Sequence, residues 1–261
     1  MNFIKSNGTA TISELRARFY QKLTAPIDAM WEQLYIAASQ HYLIAKDNKR
    51  QGYCCINDQA CLLQLFLIEK SISQMDHVIT SLIESKLINS ASLSSNEPVS
   101  FNSCLNNSTS IRANTFCFQH SNTFFDLKPA IAVEEVSTND IPAIKKFLKE
   151  QIGMNDNFGY TENLVVRKEM FLLRESDEII ATSECRNSDT QPEIADLGII
   201  VNRDYQGKGI ATQIMQLQVN RVLNSNRKPI CSTTSDNIAS QKVIARSGFY
   251  CSNIIFDMTF S

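Results

Sequence analysis

The residues best suited to chemistry lie between 184 and 211. In Gln206-Gly207-Lys208-Gly209-Ile210-Ala211, two glycines separated by one residue let successive backbone N–H groups turn toward one point. An apolar-periodic segment follows (Ile214, Leu217, Val219, Val222, Leu223) and reads as a helix. A helix N-terminus carries about half a positive charge, so this loop suits a pyrophosphate. Upstream, Leu197, Ile199, Ile200 and Val201 form an apolar strand broken by Gly198, and glycine inside a strand marks a bulge or a close backbone approach. Three carboxylates lie nearby: Asp196 at the strand's start, Glu184 on the strand before it, and Glu193 in a polar turn. Each carboxylate is a candidate general base, and each equally reads as a solvated strand end.

Three phosphate loops compete for the glycines. Walker A needs Ser or Thr directly after its Lys, whereas Gly209 follows Lys208, which argues against a nucleotide hydrolase. The dinucleotide fingerprint needs a third glycine where Thr212 stands. The third pattern, Gln/Arg-x-x-Gly-x-Gly/Ala, is filled completely by Gln206, Gly209 and Ala211. That pattern resembles the acetyl-CoA loop of the GCN-five-related N-acetyltransferase (GNAT) family. The resemblance covers about residues 130–261. It extends to Asn237 and Ser240, where the family has small polar residues near the pantetheine arm, and to the Gly248-Phe249 ending of the last helix.

The resemblance implies acetyl-CoA as co-substrate, no metal, and transfer of an acetyl group to a primary amine, small-molecule or peptide, by direct attack on the thioester. The amides of Gln206, Gly207, Lys208, Gly209, Ile210 and Ala211 would hold the pyrophosphate, with Lys208 adding charge or simply solvated. The main chain of Ile199, Ile200 and Val201 would pair with the pantetheine amides and offer an oxyanion donor. Asp196 stands where the family often places its base, and Glu184 could face the same cleft. One departure concerns the acid: the family often has Tyr where this chain has Ile244, and Tyr250 falls on the next strand. A catalytically weak or inactive CoA-binding sensor is therefore the alternative function.

The elements that would position these residues read as α/β (α+β). The chain is expected to hold two GNAT-like domains in tandem, 1–128 and 129–261, each a mixed, mostly antiparallel sheet flanked by helices. Helices are expected over 11–23, 26–38, 75–86, 98–105, 138–147, 211–223 and 237–246, and strands over 41–46, 52–57, 60–69, 90–94, 111–119, 170–174, 179–186, 195–201, 230–233 and 250–260. Local echo supports duplication: Ser-Leu-Ser-Ser-Asn-Glu-Pro at 92–98 and Ser-Thr-Thr-Ser-Asp-Asn-Ile at 232–238 each sit between a strand and a helix. The first copy lacks the loop, because 70–76 holds no glycine. It is expected to support the structure rather than bind CoA, with the linker near Pro129.

Composition narrows the rest. A net charge of -2 over 261 residues gives no sign of a nucleic-acid or membrane-surface partner. The longest apolar run, 61–68, is interrupted by Gln64 and falls well short of the ~20 residues of a membrane span. Eight scattered cysteines without a CxxC fit buried thiols in a reduced, cytoplasmic protein. Monomer and homodimer both remain open.

Overall fold

The computed structural model describes residues 1–6, 10–127 and 131–261. In chain order the first half runs β1 (Asn2–Ser6), α1 (Ala10–Tyr20), a π-helical turn at Trp31–Ile36, β2 (Gln40–Lys46), β3 (Lys49–Ile56) and β4 (Cys61–Leu67). A 3-10 segment at Glu69–Gln74 then leads into α2 (Met75–Glu84), β5 (Ser90–Ser94), α3 (Pro98–Asn107) and β6 (Ser110–His120). The second half runs β7 (Glu134–Glu135), α4 (Ile141–Ile152), α5 (Tyr160–Val166), β8 (Met170–Glu175), β9 (Glu178–Asn187), β10 (Ile194–Val201), α6 (Ile210–Asn224), β11 (Lys228–Thr234), α7 (Ile238–Arg246) and β12 (Phe249–Thr259). Strand β1 and the two-residue β7 have no counterpart in the sequence reading.

Two compact units result. One comprises Met1–Cys117 with Cys251–Ser261, the other Phe118–Tyr250. The expected division at 128/129 and the linker at Pro129 lie outside the described residues. By contacts the first unit runs to Cys117, and residues 251–261 rejoin it. Their strand pairs antiparallel with β5, from Ile255↔Ser94 to Thr259↔Ser90.

In the first unit the strand order is β1-β2-β3-β4-β5-β12-β6. The apolar run of β4 and the apolar end of β3 at 53–56 arise because both sheet faces are covered there. Cys54, Ile56, Leu65 and Leu67 pack with Val78, Ile79 and Leu82 of α2. Tyr53, Cys55 and Phe66 pack on the other side with Ile12, Leu15 and Phe19 of α1. That α1 stripe has the three-to-four-residue spacing of a helix that buries one face.

The helix expected over 26–38 shrinks to 29–36, with its π-helical part at Trp31–Ile36. Residues 24–26 are drawn into an extended bridge to the chain beyond β5: Thr24 N–H donates to Asn96 O at 3.0 Å, and Asn96 Nδ2 donates to Ala25 O and Pro26 O at 2.9 and 3.2 Å. The helical turn starts only where Asp28 Oδ1 accepts the Trp31 N–H at 2.7 Å.

In the second unit the strands run β11-β10-β9-β8-β7. Helices α4 and α5 cover one side through Ile144, Phe147, Leu148, Leu164 and Val165, packed on Met170 and Leu172 of β8. Strands β10 and β11 are parallel, and their register covers only Ile194↔Lys228, Ala195↔Pro229 and Asp196↔Ile230. On its other edge β10 pairs with β9 without interruption from Ala195↔Asn187 to Val201↔Ala181. Gly198 therefore makes no bulge against β9. Its role is close approach: a Cβ there would lie 3.2 Å from Glu184 Oε2.

Candidate active site

A strand that stays paired on one edge and loses its partner on the other leaves main-chain donors and acceptors along the second edge. Past Asp196 that is the state of β10 on its β11 side, over Leu197 to Val201. Ile199, Ile200 and Val201 are half-buried there, and Ile200 also packs against the core under α4 and α5.

The glycine loop lies beyond the end of this strand. Asn202 caps a 3-10 turn at Arg203–Tyr205, accepting the Asp204 N–H, and Gln206 Nε2 donates back to Val201 O at 3.3 Å. Gly207 and Gly209 have φ of +76° and +80°, the left-handed region that a Cβ disfavours. The space beside them is open: a Cβ on Gly207 would meet nothing within 4 Å, and one on Gly209 only Gln213 Nε2 at 3.9 Å. Gly209 is the N-cap of α6 and, having no side chain, cannot cap it. The first N–H groups of α6 are thus presented to the loop's exposed side without an intrahelical acceptor. Lys208 does not extend freely; its Nζ lies 4.5 Å over the Tyr205 ring, and Tyr205 in turn donates to Glu178 Oε2 at 3.0 Å.

The two carboxylates ranked in the sequence come together, through a cation that the sequence reading missed. Asp196 stands directly opposite Arg186, and Gly198 opposite Glu184, across the β9–β10 pair. Arg186 Nη1 donates to Glu184 Oε2 at 2.6 Å, and Nη2 donates to Asp196 Oδ1 at 2.9 Å. Tyr160, at the start of α5, donates its hydroxyl to the same Glu184 oxygen at 2.6 Å and accepts from Arg186 Nη1 at 2.8 Å. All three charged side chains are nearly inaccessible, Asp196 at 1%. Burial raises the Tyr160 pKa and Glu184 adds to the rise, although Arg186 opposes it, so the phenol remains a donor at neutral pH. Arg186 was readable in principle, two residues from Glu184 and on the same strand face. Tyr160, remote in sequence, left no such signal.

The remaining predicted residues are dispersed. Glu193 is exposed in the turn before β10. Asn237 Oδ1 accepts the Ser240 N–H at 3.1 Å and so caps α7, which makes Asn237 a helix-starting residue whatever else it touches. Ile244 is 1% exposed, and Tyr250 on β12 is 53% exposed. Among the described residues no group of three His, Cys, Asp or Glu side chains could hold a metal ion, and no helix is long and apolar enough to cross a membrane. The eight cysteines are thiols.

A parallel strand pair that opens beside a glycine-kinked helix N-terminus, in an antiparallel sheet flanked by helices, defines an acyltransferase architecture. The chain belongs to the GNAT N-acetyltransferases and carries two of their domains in tandem: residues 8–121 match one acetyltransferase (GNAT) domain model, and residues 134–250 match another. No curated protein matches the sequence. Among solved structures, a GNAT-family acetyltransferase from Colwellia psychrerythraea is 27% identical over 100% of both chains, with a TM-score of 0.93. A GCN5-related N-acetyltransferase from Sphaerobacter thermophilus is 13% identical, covering 99% of this chain and 95% of that one, with a TM-score of 0.69. A tandem GNAT protein from the clavulanic acid biosynthesis pathway is 10% identical over 99% and 98%, with a TM-score of 0.64. These last two share the fold.

Proposed function

We propose that the second unit transfers an acetyl group from acetyl-CoA to a primary amine on a small molecule or peptide. The observation that carries this reading is the coincidence of two left-handed glycines and an uncapped helix N-terminus with the open edge of β10. The amides from Gln206 to Ala211 receive the pyrophosphate. The pantetheine arm lies along Ile199 to Val201 as an added strand. The neutral amine attacks the thioester carbon. A C–N bond forms, the C–S bond breaks, the amine proton passes to a carboxylate directly or through water, and CoA leaves as the thiolate.

Glu184 is the better placed base. Asp196 lies where β10 and β11 still pair, whereas Glu184 lies opposite Gly198, where the fork has opened. Asp196 then positions Arg186, and Tyr160 and Arg186 together position Glu184. With Ile244 buried in place of an acid, the thiolate takes its proton from solvent; a thiol pKa of about 8.5 makes it a tolerable leaving group. The first unit binds no donor in this reading, since its β4 leads into Glu69–Gln74 without glycine and residues 24–26 bridge to Asn96.

Incubation with acetyl-CoA and a panel of amines, read by thiol release, tests the proposal. Turnover that falls about 10² or more in Glu184→Gln, with CoA affinity unchanged, supports it. Tight CoA binding with no turnover on any amine would favour the catalytically silent sensor to which Ile244 points.

A further inference from the structure

Strand β9 outruns its neighbour β8. The β8–β9 register stops at Met170↔Glu184, while β9 continues through Cys185 and Arg186 to Asn187 and stays paired there on its β10 side. On the β8 side the main-chain groups of this extension need other partners. The segment between α5 and β8 supplies them. Glu169 O accepts the Cys185 N–H at 2.8 Å, Glu169 Oε1 accepts the Asn187 N–H at 3.0 Å, and Arg167 Nη2 donates to Asn187 O at 2.8 Å. These three bonds fall on the residues either side of Arg186.

The clasp is itself braced. Arg167 Nε and Nη2 donate to the two Glu169 carboxylate oxygens at 3.0 and 3.2 Å, a forked pairing that sets orientation as well as distance. The Glu169 side chain is 5% exposed, and its N–H donates to Leu164 O at 2.8 Å, which ties it to the last turn of α5. A second carboxylate, Asp189, meets Arg167 Nη1 and Nη2 at 3.0 and 3.1 Å from the exposed turn after β9. Helix α5 is therefore bonded to β9 at both ends. Tyr160 at its start meets Glu184 and Arg186, and Arg167 just past its end holds Asn187.

We propose that Arg167 and Glu169 are positioning residues for acetyl transfer: they hold the β9 main chain on either side of Arg186 and so set the guanidinium that orients Glu184. This rests on the reading of Glu184 as the base of the second unit. Neither residue touches the reacting atoms, and neither bonds the glycine loop or the open edge of β10. Their removal therefore lowers kcat and spares the affinity for acetyl-CoA. In Glu184→Gln the oriented base is gone, and the clasp has nothing left to set.

The full chain and its variants are assayed by thiol release with acetyl-CoA and the fastest acceptor of the amine panel. A misplacement of about 1 Å in a catalytic group can cost roughly 10²-fold, so Arg167→Met and Glu169→Ala are each expected to lower kcat about tenfold or more. The KM for acetyl-CoA should stay within about twofold of the parent, with an unchanged far-UV circular dichroism spectrum. Asp189→Asn breaks ion pairs of Arg167 but none of its bonds to β9, and should leave kcat within about twofold. Placed in Glu184→Gln, Arg167→Met should cost no further turnover, whereas a merely structural role would lower both backgrounds by the same factor. Equal losses in the two backgrounds, an equal loss in Asp189→Asn, or parental kcat in folded Arg167→Met overturns the proposal. Glu169→Ala carries the same comparison if Arg167→Met does not fold. An inactive wild type, or full turnover by Glu184→Gln, overturns the base assignment itself and the proposal with it, which tells the two failures apart.

Discussion

Arg186 is the side chain whose removal tests the reading of the second unit most severely. Arg186→Met keeps the hydrophobic stem and deletes the guanidinium that holds Glu184 at 2.6 Å and Asp196 at 2.9 Å, all three nearly inaccessible to water. Two unit charges at about 4 Å interact by roughly 4 kcal/mol at an effective dielectric of 20. Stripping one partner from a buried pair costs about 3–5 kcal/mol, because the other charge stays buried. Here two buried carboxylates lose the cation they share, so a loss of about 4 kcal/mol is expected at pH 8.

Urea unfolding at pH 8, followed by far-UV circular dichroism, measures the loss. Adding Glu184→Gln and Asp196→Asn to Arg186→Met should recover part of it, because no charge then stays buried. A loss below about 1 kcal/mol, or no recovery in the triple variant, would refute the reasoning.

Gly209→Val places a β-branched residue at a φ of +80°, and calorimetry should show CoA binding weakened at least tenfold with α6 intact; unchanged affinity would mean that the loop amides do not hold the carrier. Glu97 has a folded-state pKa raised from 4.5 to about 8, so its contribution is intact below pH 4.5 and is lost as pH rises toward 8; Glu97→Gln should flatten the decline of melting temperature over that window, which is worth a few kcal/mol. Ile244→Tyr, in a site 1% exposed, should cost about 1–3 kcal/mol through overpacking and bring no gain in turnover, as read by thermal melts and thiol release.

How much of this was legible in the sequence depended on the range of the forces involved. The face of α1 showed in the spacing of Ile12, Leu15 and Phe19, and β4 showed as an apolar run, since local periodicity records which side is buried. The order strand, glycine pair, helix was readable for the same reason. The helix expected over 26–38 failed because Asn96, some seventy residues away, recruits the backbone of residues 24–26. Of the two readings of Gly198, bulge or close approach, the second is what forms against β9, and the neighbour that approaches is a side chain on the adjacent strand. Arg186 was overlooked because its meaning depends on the register that sets it opposite Asp196, and no single-strand pattern carries register.

The return of the last strand to the first unit has a consequence for the order of assembly. On a ribosome, residues 118–250 are synthesised whole before the segment that pairs with Ser90–Ser94 exists. The earlier unit must therefore wait with an unsatisfied strand edge while its neighbour can already fold, and such edges recruit foreign chains. Shortening the gene to end after Tyr250 would leave that edge bare for good, so the damage from a late stop codon would fall on the half of the protein translated first.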